Sequence, residues 1–129
     1  MVQKQDVRTG DRDKLTEAIL GATFEVANAL GHGFIEVVYR RALAHELRLR
    51  NIPCRQEVPF SVIYKGESAG QYVADMVVAE RVIVELKAVD NLTPAHSSQT
   101  INYLHASGIR VALLINFGTP RLQYKRMVV

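Results

Sequence analysis

The chain has 129 residues, 48% of them apolar, and its sixteen basic and thirteen acidic side chains give a formal charge of +3. That length and apolar content describe one domain able to bury a real core, exclude a disordered chain and leave little room for a second domain. The charge permits a polyanionic partner without demanding one. A single cysteine, Cys54, excludes an internal disulfide and points to a reducing compartment. No apolar run is long enough to span a membrane, and the polar, mixed-charge start from Met1 to Gly10 lacks a signal-peptide pattern. A cytoplasmic protein is the expectation.

In chain order, residues 1–10 read as a mobile arm and 11–129 as one domain. Apolar positions at Leu15, Ile19, Ala22, Val26 and Leu30, with Thr23 among them, have helical spacing, and Asp11 or Asp13 is placed to cap that helix. Gly31-His32-Gly33 breaks it, and a second helix is predicted from Phe34 to Arg50. A first strand is expected over Arg55–Tyr64, with a possible interruption at Pro59 and a turn at Lys65-Gly66. Strands at Gln71–Val78 and Arg81–Ala88 are joined by Ala79-Glu80 and should form a hairpin. Thr93-Pro94 reads as the N-cap and first residue of a third helix ending near Gly108. Val111–Asn116 is the last core strand, and Leu122–Val128 adds an edge strand. Asn116-Phe117-Gly118 looks like a turn. The order α-α-β-β-β-α-β predicts an α/β fold with a central mixed sheet flanked by helices.

Charges stand where this pattern wants apolar residues. In the second strand Val73 and Val77 share one face and Ala74, Met76 and Val78 the other, so both faces should be buried, yet Asp75 falls on the Val73/Val77 face. In the third strand Val82, Val84 and Leu86 face one way, and Ile83, Glu85 and Lys87 the other. A hairpin turning about residue 80 sets Asp75 opposite Glu85. Two such carboxylates would repel unless something compensates: a divalent cation such as Mg²⁺, or Lys87 in a structural salt bridge. On the second helix Glu36 falls on the stripe of Tyr39, Leu43 and Leu47, either as a misplaced acid or as a helix-start residue favoured by the macrodipole. On the third helix His96, Gln99 and Tyr103 share a polar sector opposite Ser97, Ile101 and Leu104; that sector is either solvated surface or the rim of the acidic site. His96 and His105, nine residues apart, cannot share a metal, and His45 has no paired ligand. Arg40, Arg41, Arg48, Arg50 and Arg55 read as a solvated face that could also contact phosphates.

These residues carry a family resemblance. Gly33-Phe34-Ile35-Glu36-Val37-Val38-Tyr39 is similar to the GxxExxY signature. Asp75 with Glu85-Leu86-Lys87 resembles the D…(D/E)xK core of the PD-(D/E)xK nuclease superfamily, and Gln99-Thr100-Ile101-Asn102-Tyr103 resembles the QxxxY motif of its exonuclease-like branches. The chain thus looks like a small GxxExxY protein from about Leu15 to Val128. The resemblance implies a restriction-endonuclease-like core and a metal-dependent nuclease that hydrolyses phosphodiesters, in DNA more than RNA. It implies Mg²⁺, with Mn²⁺ as a substitute, held by Asp75, Glu85 and the Leu86 backbone carbonyl, with Glu36 completing or extending the set. Lys87 would orient and help deprotonate water or neutralise phosphoryl charge. Gln99, with Tyr103, Tyr39 and His96, would position the site or the substrate backbone. A non-catalytic nucleic-acid- or protein-binding module on the same fold is the alternative, and a homodimer would supply grip that so small a chain lacks.

Overall fold

The structure, a computed structural model, describes residues 10–129, with side chains from Lys14 onward. The expected mobile arm lies outside it, except for Gly10. Helices α1 (Gly10–Leu30) and α2 (Glu36–Leu49) precede strands β1 (Cys54–Tyr64), β2 (Glu67–Val78) and β3 (Val82–Lys87); α3 (Pro94–Ser107) leads to β4 (Val111–Asn116) and β5 (Gln123–Val128). The helix begins at Gly10, so Asp11 and Asp13 lie inside the first turn of α1 rather than at its cap.

The sheet runs β1-β2-β3-β4-β5, antiparallel throughout except for the parallel pair β3–β4. A parallel pair needs a crossover, which α3 supplies. Every residue of β4 is buried, as expected of a central strand covered on both faces. One apolar layer joins α1 and α2 to the sheet through Ile19, Tyr39, Leu43, Leu47, Met76, Val84 and Leu113. A second, beneath α3, joins Tyr103 and Leu104 to Val58, Ala74, Val77, Ile83 and Leu114. Each buried aliphatic side chain contributes about 1.5–3 kcal/mol against leaving it in water, so the two layers hold α2 and α3 firmly on opposite faces.

Two strands depart from expectation. β2 starts at Glu67 instead of Gln71, because Lys65 and Gly66 take φ of 48° and 88° and close a two-residue hairpin with Tyr64 paired to Glu67. β1 runs unbroken through Pro59, which pairs with Val73; β1 is an edge strand, where a missing N–H is tolerated.

The third departure concerns faces. On β1, Cys54 packs with the α1/α2 layer and Gln56 bonds Arg40 of α2, whereas Val58 and Phe60 pack under α3. On β2, Met76 and Val78 belong to the α1/α2 layer, whereas Tyr72 and Ala74 lie under α3 together with Val77. Alternation therefore inverts at Glu57 and at Asp75, which sit between the flanking pairs Gln56↔Met76 and Val58↔Ala74. Glu57 has φ 54°, a left-handed conformation that breaks the alternation of its strand. Val73 is consequently 48% exposed rather than sharing a buried face with Val77.

Candidate active site

The β2–β3 ladder runs through Val78↔Val82, Val77↔Ile83 and Met76↔Val84. At the next position the side chains take over from the backbone. Glu85 Oε2 accepts a hydrogen bond from the Asp75 N–H at 2.8 Å, and Asp75 Oδ2 accepts one from the Leu86 N–H at 2.8 Å. The two carboxylates thus sit opposite each other, as a hairpin centred on residue 80 requires. Glu85 is 3% exposed.

The electrostatics follow from this burial. Desolvation, and then the neighbouring Asp75 charge, push the Glu85 carboxyl up to about 8. Asp75 is also held above its ordinary value by desolvation, against the opposing pull of the Leu86 N–H and of the positive charges of Lys87 and Arg40. Among the described residues no ion pair joins Lys87 to either carboxylate; its Nζ instead donates to Gln99 Oε1 at 3.2 Å. That geometry does not support a closed structural salt bridge. Two hard-oxygen donors, each accepting a single backbone N–H and each short of compensating charge, fit a divalent cation such as Mg²⁺ or Mn²⁺.

The other expected residues divide into those at the site and those that support it. Glu36, in the first turn of α2, reaches the far end of β3, where its Oε2 accepts from the Ala88 N–H at 3.2 Å. Its charge bears on both Asp75 and Glu85. Among the described residues, however, no three His, Cys, Asp or Glu side chains come together as a metal cage, so Glu36 stands outside the Asp75–Glu85 pair. Leu86 buries its side chain in the α1/α2 layer, and its N–H serves Asp75.

Tyr39 is fully buried and stacks on Phe117 with ring centroids 4.3 Å apart. Its hydroxyl donates to the Gly31 carbonyl at 2.7 Å and accepts from the Phe34 N–H at 3.2 Å. It pins the turn in which Gly33 takes φ 117°, and so sets where α2 and Glu36 begin. This gives the Gly33–Tyr39 pattern a physical basis in loop geometry rather than in substrate contact.

On α3, His96 completes a capping box: its Nδ1 accepts from the Thr93 N–H at 3.0 Å, and its own N–H donates to Thr93 Oγ1. Tyr103 is not part of a polar stripe. It is 8% exposed and packs in the apolar layer with Leu104, its ring centroid 4.9 Å from that of Tyr72. Burial, followed by the charges of Glu85 and Asp75, pushes its phenol up to about 12. Of the expected rim, Gln99 alone touches Lys87 directly.

Sequence reasoning missed two supports. Asn116, placed by the sequence at the end of the last core strand and the start of a turn, does end β4, but its side chain is fully buried and has a role that the sequence does not show. Its Oδ1 accepts from the N–H groups of Val89 and Gly118, and its Nδ2 donates to the Val89 carbonyl and to Gln123 Oε1. Together with the Phe117 N–H bond to the Lys87 carbonyl, it clamps the chain just beyond the site. Gly118 lies so close to Val89 that a Cβ would strike its backbone. The second support is Arg40, which read as surface. Held by Gln56 Oε1 at 3.1 Å and Glu57 at 3.6 Å, it brings a positive charge to bear on Asp75. Arg50 and Arg55 have local acidic partners, Glu46 and Glu80, as a solvated face would.

The sequence model of the PD-(D/E)XK nuclease superfamily matches residues 13–127. The chain belongs to that superfamily. The narrower GxxExxY grouping rests on the Gly33–Tyr39 motif alone. A solved structure, described as that of SSO0001, is similar in fold with a TM-score of 0.53 and 17% identity over 70% of this chain. The match covers 48% of that protein, so this chain spans about half its length. No curated protein matches the chain significantly. No helix among the described residues is long and apolar enough to cross a membrane.

Proposed function

We propose that this protein is a metal-dependent nuclease that hydrolyses phosphodiester bonds in nucleic acid, DNA ahead of RNA. The observation that carries the reading is the opposed Asp75–Glu85 pair with Lys87 one side chain further along the same strand face. Asp75, Glu85 and the Leu86 carbonyl would hold Mg²⁺ or Mn²⁺, which lowers the pKa of water and offsets charge on the phosphate. Lys87 orients the attacking water and stabilises negative charge as it develops on the phosphoryl oxygens. Gln99 holds the Lys87 ammonium in place from α3, and the His96 cap in turn fixes the start of that helix. Glu36 adds negative charge at the margin of the pair and so helps to draw the cation. Tyr103, whose phenol keeps its proton at neutral pH, is suited to donate to a phosphate oxygen.

The test is incubation with single- and double-stranded DNA and RNA in Mg²⁺, Mn²⁺ or EDTA, beside Asp75→Ala and Lys87→Ala. Cleavage should need the metal and fall by about 10²–10³-fold in each variant, the scale of losing one preorganised charge contact. Cleavage that persists in both variants refutes the site. Tight, salt-sensitive binding without cleavage would identify a non-catalytic nucleic-acid-binding module instead.

A further inference from the structure

A groove of about 620 Å³ opens between α3 and the β1–β2 hairpin, lined by Ser61, Val62 and Ile63 of β1, Tyr72 of β2, and Asn102 and His105 of α3. That volume is within the range of ligand clefts, about 300–1,000 Å³. None of the functions assigned above uses it. We propose that it is a subsite for one unpaired nucleobase, flanking the phosphate engaged at Asp75 and Glu85; the proposal rests on the nuclease reading for the identity of the strand.

Three observations converge. The first is continuity. Tyr72 stands three residues before Asp75 on β2, about 10 Å away at the rise of a strand, and its ring meets that of Tyr103 at 4.9 Å. Tyr103 in turn feels the charges of Glu85 and Asp75. On α3, Asn102 follows Gln99 by three residues, so groove and site share the same two elements.

The second is chemistry. No Asp, Glu, Lys or Arg lines the groove. A phosphate would want cationic donors there, whereas a base wants a flat apolar wall with a few polar atoms at its edge. Tyr72 and Ile63 supply the wall; the amide of Asn102 offers both a donor and an acceptor, and Ser61 and His105 add further polar atoms.

The third is the inversion at Glu57 and Asp75. It turns Tyr72 toward α3, whereas strict alternation with Val77 would turn it away. The same local break that presents Asp75 therefore also presents the stacking surface beside it.

The experiment is a ¹H–¹⁵N titration of the whole chain with thymidine and with deoxyadenosine, against deoxyribose 5-phosphate as a probe without a base. Both nucleosides should shift the amide signals of Tyr72, Asn102 and His105 saturably, with affinity about tenfold lower in Tyr72→Ala, the scale of one lost base–aromatic stack. Asn102→Ala, at an exposed helix position, should weaken binding as well and guards against a packing defect in the tyrosine variant. Equal shifts from deoxyribose 5-phosphate, or none from either nucleoside, overturn the subsite. Nucleosides carry no phosphate, so this readout needs neither metal nor cleavage. A chain that binds them without cutting DNA refutes the nuclease reading and leaves a base-binding groove; one that cuts DNA and ignores nucleosides refutes only the subsite.

Discussion

Neutralising Glu85 without changing its shape should stabilise the metal-free protein, by an amount that grows as pH rises from about 5 to about 8. In Glu85→Gln the amide oxygen can still accept the Asp75 N–H that Glu85 Oε2 accepts at 2.8 Å, so the junction between β2 and β3 keeps its bond. The carboxyl of the folded protein is pushed from an ordinary value of 4.5 up to about 8. The folded state therefore binds the proton more tightly than the unfolded one. Stability from this group is complete below the unfolded value and drains away as pH rises through the folded one. At about 1.4 kcal/mol per pH unit over that interval the ceiling is about 5 kcal/mol. Asp75, also raised chiefly by desolvation, titrates in the same direction. We expect Glu85→Gln to exceed the parent by about 2–4 kcal/mol near pH 8 in EDTA, about 10 °C in Tm for a domain of this size, and to match it within about 1 kcal/mol near pH 5. Millimolar Mg²⁺ should raise the parent's Tm near pH 8 and leave the variant's unchanged, because the cation supplies the compensation that the amide no longer needs. Thermal unfolding across pH, with and without metal, reads all of these. A variant less stable than the parent near pH 8 in EDTA, or a difference independent of pH, would refute the reasoning.

The remaining predictions concern the supports of the site. Asn116→Ala removes four hydrogen bonds from a fully buried side chain and should lower stability by about 2–4 kcal/mol in denaturant unfolding. Gly118→Ala drives a Cβ into the Val89 backbone and should cost at least about 2 kcal/mol; cleavage should fall with it, since Val89 lies two residues beyond Lys87. Gln99→Ala releases the Lys87 ammonium. It should lower kcat about tenfold while leaving Tm within about 2 °C, because Gln99 is exposed and contributes no core packing.

Much of the candidate site was legible because its logic is local. Alternation in Val82–Lys87 shows that Glu85 and Lys87 share a face, and a turn about residue 80 sets Asp75 across from Glu85. Thr93-Pro94 announces the start of α3, and the structure adds only that His96 closes the cap. The rest depended on contacts distant in sequence or on backbone conformations without a residue signal. Nothing in Glu57 advertises a left-handed φ, so the change of face at Asp75 leaves no mark in the sequence, and simple alternation puts Val73 on the face of Val77. Asn116 draws its meaning from Val89, twenty-seven residues earlier. Tyr103 looked polar because helical spacing groups it with Gln99, but the apolar layer takes in its ring and leaves only the phenol near the acids. Tyr39 lay on the expected apolar stripe, and only the fold reveals that its hydroxyl secures the Gly31–Gly33 turn.

The change of face at Glu57 and Asp75 also makes a mechanical seam. Outside it, Val58, Phe60, Tyr72 and Ala74 pack only into the layer beneath α3; inside it, the strands pack on both faces, under α3 through Val77, Ile83 and Leu114 and against α1 and α2 through Met76, Val78 and Val84. The outer hairpin is therefore held from one side, whereas the inner strands are held from both. Asp75 stands on the line between them, where a strand covered on both faces gives way to one covered on a single face, and this opens one side of the sheet next to the carboxylate pair.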